Sequence, residues 1–369
     1  MGGIHQVGTC LSNDRQPLLI DMSTLQEEGD SPDEQSELIG AGAPSPPLEM
    51  VRSGRYYETF YGHLWTFTDR ISEALRSFHG EQSTCIWLCG DSSLDNKAWL
   101  FTGYQAAESF HRDFENRIFQ FTAPALNGYE TVLNPPGMVK DVNYWINEKL
   151  TKRSPNERVY CVNTAVEATT LSTRTGGCEL CCVPRCGGKL LDSDEYIRDH
   201  IKPNDMIVCS IGGNDIALAP SILTVIFLFL IILTPSCFLF KYNPVVYYFV
   251  ILFRHQVTAY LKSLTCKVKP KKIGVCCIYF LDEHNGESWA NCALCCLGYC
   301  FCPSVLQQRI RVMFAVATSE IKISGTTIVP IALSDALDGK SHSDYVQRVE
   351  PSVTGGEKMA SLIVEKMLK

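Results

Sequence analysis

The chain has 369 residues, 46% of them hydrophobic, with 18 cysteines and a formal net charge of −7; this excludes a wholly disordered chain and leaves room for one large domain with appendages. The charge is uneven: residues 1–45 hold eight acids and one arginine, so the remainder carries 32 acids against 32 bases. A neutral body offers no basic field for nucleic acid, and no nucleic-acid partner is expected.

The first 20 residues lack a basic stretch followed by a continuous apolar run, so no secretory signal peptide is read there and the cysteines are expected as reduced thiols. Residues 22–48 are acidic and proline-rich, from Glu27-Glu28-Gly29-Asp30 to Pro44, Pro46 and Pro47. Such a segment cannot bury enough apolar surface to order itself, so 1–50 is predicted to be a disordered tail ahead of one domain over 51–369. Tyr56 to Phe78 places Phe60, Leu64, Phe67, Ile71, Leu75 and Phe78 at helical spacing. Strands are predicted over Thr84–Cys89, Arg158–Asn163, Asp205–Ile211, Lys272–Phe280 and Thr326–Ile331, each followed by a polar turn and a helix-compatible segment. Strands alternating with helices imply an α/β fold with a doubly wound parallel sheet. Residues 101–150, with the breakers Asn134-Pro135-Pro136-Gly137, read as an irregular region shaping a substrate cleft, and Val353–Met367 as a closing amphipathic helix.

The first strand runs into Gly90-Asp91-Ser92-Ser93-Leu94, a turn that puts Ser92 at the C-terminal sheet edge beside a helix start. The third strand ends Gly212-Gly213-Asn214-Asp215, and the second continues through Asn163-Thr164-Ala165-Val166-Glu167-Ala168. These words, in this order after strands, resemble blocks I, III and II of the GDSL or SGNH hydrolases, a family of esterases and lipases. The resemblance implies a three-layer, flavodoxin-like five-stranded sheet, with Ser92 as nucleophile and Gly90 and Asp91 shaping its turn. It implies an oxyanion hole formed by the N–H groups of Ser92 and Ala165 and the Asn214 amide, with Gly212 and Asp215 supporting. Alanines at 165 and 168 stand where the family has glycines.

The fourth word departs from the pattern. The family carries Asp-x-x-His-Pro near the C-terminus; here the register is Gln347-Arg348-Val349-Glu350-Pro351, so Glu350 stands at the His position and Gln347 at the Asp position. Two bases therefore compete: Glu350 by register, and His342, eight residues earlier, by chemistry, since an imidazole titrates near 6.5 without burial while a Glu starts at about 4.3. Register is preferred because geometry precedes pKa, with His342 as an accessory group.

Within 221–254 lies an apolar insert: Ile222–Phe240 has no charge over 19 residues, and Val245–Phe253 follows after Lys241-Tyr242-Asn243-Pro244. The first run meets the length of a transmembrane helix, but one crossing between two strands of one sheet would part the sheet across the bilayer. A hairpin dipping into one leaflet, or a lid over an acyl site, is expected instead, with a pair of buried core helices as the plainer alternative. Cys178-x-x-Cys181-Cys182-x-x-x-Cys186 and Cys292-x-x-Cys295-Cys296-x-x-x-Cys300 share one spacing, open to a zinc knuckle pair or to acylated or buried thiols. Gly339-Lys340-Ser341 lacks the first glycine of a phosphate loop, so nucleotide binding is rejected. No cofactor and no metal is expected at the site. The expected function is cleavage of an acyl ester or lipid at a membrane, on the cytoplasmic side, the alternative being a catalytically inactive membrane-bound lipid-binding descendant; protein partners are not indicated.

Overall fold

The computed structural model describes residues 49–102, 122–153, 157–175 and 188–369. The tail predicted over 1–50 falls almost wholly outside them, as do Cys178, Cys181, Cys182 and Cys186.

Five parallel strands form the central sheet: β1 (Thr84–Gly90), β2 (Val159–Asn163), β3 (Met206–Ser210), β4 (Lys272–Cys277) and β5 (Thr327–Ala332). Their spatial order is β2-β1-β3-β4-β5, with Leu88 of β1 level with Asn163 on one side and Val208 on the other. This is the doubly wound, flavodoxin-like α/β order that the resemblance implies. It reverses between β1 and β3, which opens a crevice beyond the carboxyl ends of those two strands. The helices that matter here are α1 (Trp65–His79), α2 (Val142–Arg153), α3 (Asp192–His200), α4 (Ile222–Leu233), α5 (Pro244–Val250), α6 (Val257–Leu264), α7 (Pro303–Val316) and α8 (Val353–Met367).

The period of two in β1 feeds both faces: Cys85, Trp87 and Cys89 enter a core shared with α1, α3 and α6, while Ile86 and Leu88 enter one shared with α2 and α8. Asp205, fully buried just before β3, ties the first face together. It accepts the Cys85 N–H (3.0 Å), the Trp87 indole N–H (3.2 Å) and the Arg76 guanidinium (3.2 Å). A fully buried indole with its N–H satisfied is a large apolar contribution, and its removal costs on the order of 3–5 kcal/mol.

Several predicted boundaries change, the fourth strand ending at Cys277 rather than Phe280. The first helix begins at Trp65 rather than Tyr56, because the chain breaks at Gly62, whose φ of +68 no helix accepts; Ser53–Tyr57 forms a separate short helix. The region read as irregular contains α2, which Asp141 caps by accepting the Tyr144 N–H at 2.8 Å. Its apolar stripe is Val142, Ile146 and Leu150, but Asn143 and Asn147 are buried beside it and blur the pattern.

The apolar insert folds as a hairpin, with Leu228 and Ile231 of α4 packed among Val246 and Phe249 of α5 and Met313 of α7. The apolar run forms no spanning helix: α4 has 12 residues, about 18 Å of helix against roughly 30 Å of hydrocarbon. Among the described residues no helix is long and apolar enough to cross a membrane. The run stops because Arg309 of α7 takes the carbonyls at its end, Ile231 (3.2 Å), Ile232 (3.3 Å) and Thr234 (2.7 Å), and Pro235 follows. The expectation of free thiols is corrected for Cys295 and Cys300, which are joined in a disulfide. That bond removes two sulfurs from the second cysteine cluster and with them the paired-knuckle zinc reading; Cys292 and Cys296 are exposed thiols.

Candidate active site

The turn after β1 exists because residue 90 is a glycine. Gly90 has φ +128, and a Cβ there would lie 1.7 Å from the Ser210 carbonyl oxygen of β3. The Gly90 carbonyl accepts from Val166 N–H (3.1 Å) and from the buried Arg174 Nη2 (3.1 Å), and Asp91 N–H donates to Ser210 O (3.0 Å). The Leu94 and Asp95 N–H groups then close on Asp91 O at 3.1 Å each. This frame presents Ser92, whose Oγ donates to Oε1 of Glu350 at 3.3 Å.

Glu350 reaches that position from a distant part of the chain. It lies in a two-residue strand, Glu350–Pro351, paired with Tyr345–Val346 across a turn in which Gln347 (φ 51) and Arg348 (φ 66) are left-handed. Its flanks are gripped: Tyr279 donates to Val349 O at 2.7 Å, and the Asn96 amide donates to Pro351 O at 3.0 Å. Gln347 does not serve as an orienting acid, since its Oε1 accepts the Trp289 N–H.

The electrostatics are those of buried carboxylates. Burial, and then the neighbouring Asp91, push the Glu350 carboxyl up to about 8 against the opposing Ser92 hydrogen bond. Asp91 is pushed to about 6 by burial, although Ser93 donates to it twice, from N–H (3.2 Å) and Oγ (2.8 Å). Glu167, buried, is driven well above the usual range by burial and then by Glu350 itself. Among the described residues, Oε2 of Glu350 and Oε2 of Glu167 have no hydrogen-bond partner. Two buried carboxyls in each other's field retain a proton at neutral pH. Asp95, which accepts the Glu167 N–H (3.0 Å), is paired with buried Lys97 at 2.6 Å.

Asn214 opens a short helix after β3 and is buried; its amide donates to Thr169 O at 3.0 Å. Asp215 accepts the Leu171 and Ser172 N–H groups (2.7 and 2.9 Å), tying the loop after β2 to the loop after β3. Gly212, at φ +105, leaves room for the Phe253 ring of the insert, 3.0 Å from where a Cβ would sit. The Ala165 N–H is taken by Asn163 Oδ1 at 3.0 Å. Ala168, at the second glycine position of that word, has φ 56, so the left-handed backbone persists without its glycine. His342 is placed elsewhere: its exposed ring sits on Asp282, Nδ1 to Oδ2 2.5 Å. The structure thus joins Ser92 to Glu350 and sets His342 with Asp282.

Sequence reasoning did not single out Glu167, Arg174, Asn96, Tyr279 or Asp282. Glu167, lying between the two alanines of the second word, was the most accessible; Arg174 and Tyr279 carry no local signal, because tertiary partners alone define them.

No family model and no curated protein matches the chain. Among solved structures it is similar to a carbohydrate acetylesterase from Sinorhizobium meliloti, with 12% identity over 78% of this chain and 99% of that one at TM-score 0.37. It is similar to an M. smegmatis aryl esterase, 12% identical over 78% and 99% at TM-score 0.38. A third is phospholipase A1 from Streptomyces albidoflavus, 12% identical over 77% and 99% at TM-score 0.36. The strand order and the turns that carry the three sequence words define the fold.

Proposed function

We propose that the chain is a serine ester hydrolase acting on acyl esters at a lipid surface. The contact that carries the proposal is Ser92 Oγ donating to a buried Glu350 whose carboxyl is raised to about 8. A carboxylate with an ordinary pKa is too weak to take a serine proton, whereas one raised to about 8 has the basicity of an activated imidazole. Ser92 Oγ attacks the acyl carbonyl and gives its proton to Glu350 Oε1, and Glu350 then protonates the leaving alcohol. A water activated by the same carboxylate hydrolyses the acyl-serine. The developing oxyanion is held by the Ser92 and Ala165 N–H groups and the Asn214 amide, the latter two exchanging Asn163 Oδ1 and Thr169 O for substrate.

The lipid surface is read from α4. Its exposed residues Ile222, Val225, Ile226, Phe229, Leu230 and Leu233 recur at i, i+3, i+4, i+7, i+8 and i+11, one apolar stripe facing away from the protein. A cleft lined by Ser172, Asp215, Thr224, Tyr248 and Leu252 runs between this insert and the residue next to Asn214. The competing reading, lipid binding without turnover, is favoured by the internal partners of Ala165 N–H and the Asn214 amide. Labelling of the full chain by a fluorophosphonate probe in the presence of phospholipid vesicles separates the two. Labelling that Ser92→Ala abolishes supports the hydrolase; folded, vesicle-bound protein that does not label supports the binding protein.

A further inference from the structure

Beyond β4 and β5 the chain builds a second cluster that the hydrolase chemistry does not use. Asp282 is fully buried, and its two carboxylate oxygens are each shared with an exposed imidazole: Oδ1 with His284 Nδ1 at 2.9 Å, Oδ2 with His342 Nδ1 at 2.5 Å. Donor atoms of the three residues lie within 4.8 Å of one another.

The backbone beneath this cluster is fixed. β4 and β5 are neighbours, and a further parallel bridge, Phe280 to Asp338, extends their pairing into the two loops. Glu283 N–H donates to Gly339 O (2.8 Å), Asp282 N–H to Arg348 O (2.9 Å), and the buried Arg348 guanidinium returns two bonds to Asp282 O (3.1 and 3.3 Å). Solvent-exposed ion pairs add little to stability and need no such scaffold. A buried carboxylate presented on a braced loop to two imidazoles from two different loops has the composition of a metal-binding triad.

We propose that Asp282, His284 and His342 bind one late first-row divalent cation of the zinc class, with the remaining coordination position open to solvent. Two imidazole nitrogens and one carboxylate suit such borderline ions better than calcium or magnesium, which take oxygen ligands. A tetrahedral centre with ligands at about 2.1 Å spaces its donor atoms about 3.4 Å apart. The carboxylate–imidazole pairs are now closer than that, at hydrogen-bond distance, and the metal takes the place of the bridging protons. The imidazoles, 56% and 66% exposed in their side chains, have room to swing outward while Asp282 stays in place. The bound ion joins the loop after β4 to the loop after β5, eight residues ahead of Glu350.

The test is a Co²⁺ titration of the full chain after its thiols are blocked with N-ethylmaleimide, which removes the exposed cysteines as competing ligands. One Co²⁺ per chain is expected, with ligand-field bands but no thiolate charge-transfer band. The double variant His284→Ala/His342→Ala is expected to lose at least about tenfold in affinity per ligand removed. Because both rings are exposed, its far-ultraviolet circular dichroism should match the parent, so loss of binding is not loss of fold. Asp282→Asn provides the third ligand test. Unchanged Co²⁺ affinity in the double variant, or no saturable uptake by the thiol-blocked parent, overturns the proposal.

Discussion

Glu350→Gln separates the chemical role of this residue from its structural cost. The native carboxyl is raised from 4.5 to about 8, a displacement of roughly 3.5 units, or on the order of 5 kcal/mol at about 1.36 kcal/mol per unit. A carboxyl whose folded pKa lies above its unfolded value contributes stability fully present below about pH 4.5 and lost as pH rises through about 8, since the unfolded chain ionises first. The neutral amide carries no such dependence. The variant should therefore match the parent or fall slightly below it at pH 5, from the altered Ser92 contact, exceed it by roughly 3 kcal/mol at pH 7, and gain further by pH 9. Denaturant unfolding at the three values, with unchanged slope, reads this directly. Kinetics should move the opposite way: kcat/KM of the parent rises nearly tenfold per pH unit below 8 and then levels, and the variant loses about 10²–10⁴ of that plateau together with the rise, so the gap narrows as pH falls. A Glu350→Gln protein destabilised equally at all three pH values would refute the burial argument, and one that keeps its activity would refute the assignment of the base.

Ala168 is exposed and held at φ 56, so Ala168→Gly relieves backbone strain and should stabilise by about 0.5–1 kcal/mol, read as a higher denaturation midpoint. The reverse experiment at the turn before the nucleophile, Gly90→Ala, drives a Cβ to within 1.7 Å of the Ser210 carbonyl; it should cost more than about 3 kcal/mol or abolish folding, measured by soluble yield and thermal melting. On α4, Ile226→Ser with Phe229→Ser should leave the melting temperature nearly unchanged, because both side chains are about half exposed, while sharply reducing flotation with phospholipid vesicles. Flotation equal to the parent would show that this face does not meet lipid.

The sequence by itself determined the five strands, the closing helix and the turns that carry Ser92 and Asn214, because each is a local pattern. An apolar run ending at a glycine and an Asn-Asp helix start are set by backbone sterics and hydrogen bonding among neighbours. It also ranked Glu350 over His342, since the register Gln347-Arg348-Val349-Glu350-Pro351 is itself local and leads directly into α8. The start of α1 and the presence of α2 were not legible: a positive φ at Gly62 and two buried asparagines depend on what packs around them. Nor was the depth of the Glu350 site, where Asp91 and then Asp95 add to the effect of burial and Glu350 in turn raises Glu167, or the pairing of His342 with an aspartate 60 residues away. Tertiary structure alone decided these, because a pKa and a ligand set are properties of surroundings, and the surroundings of a buried carboxylate are assembled from strands far apart in the chain.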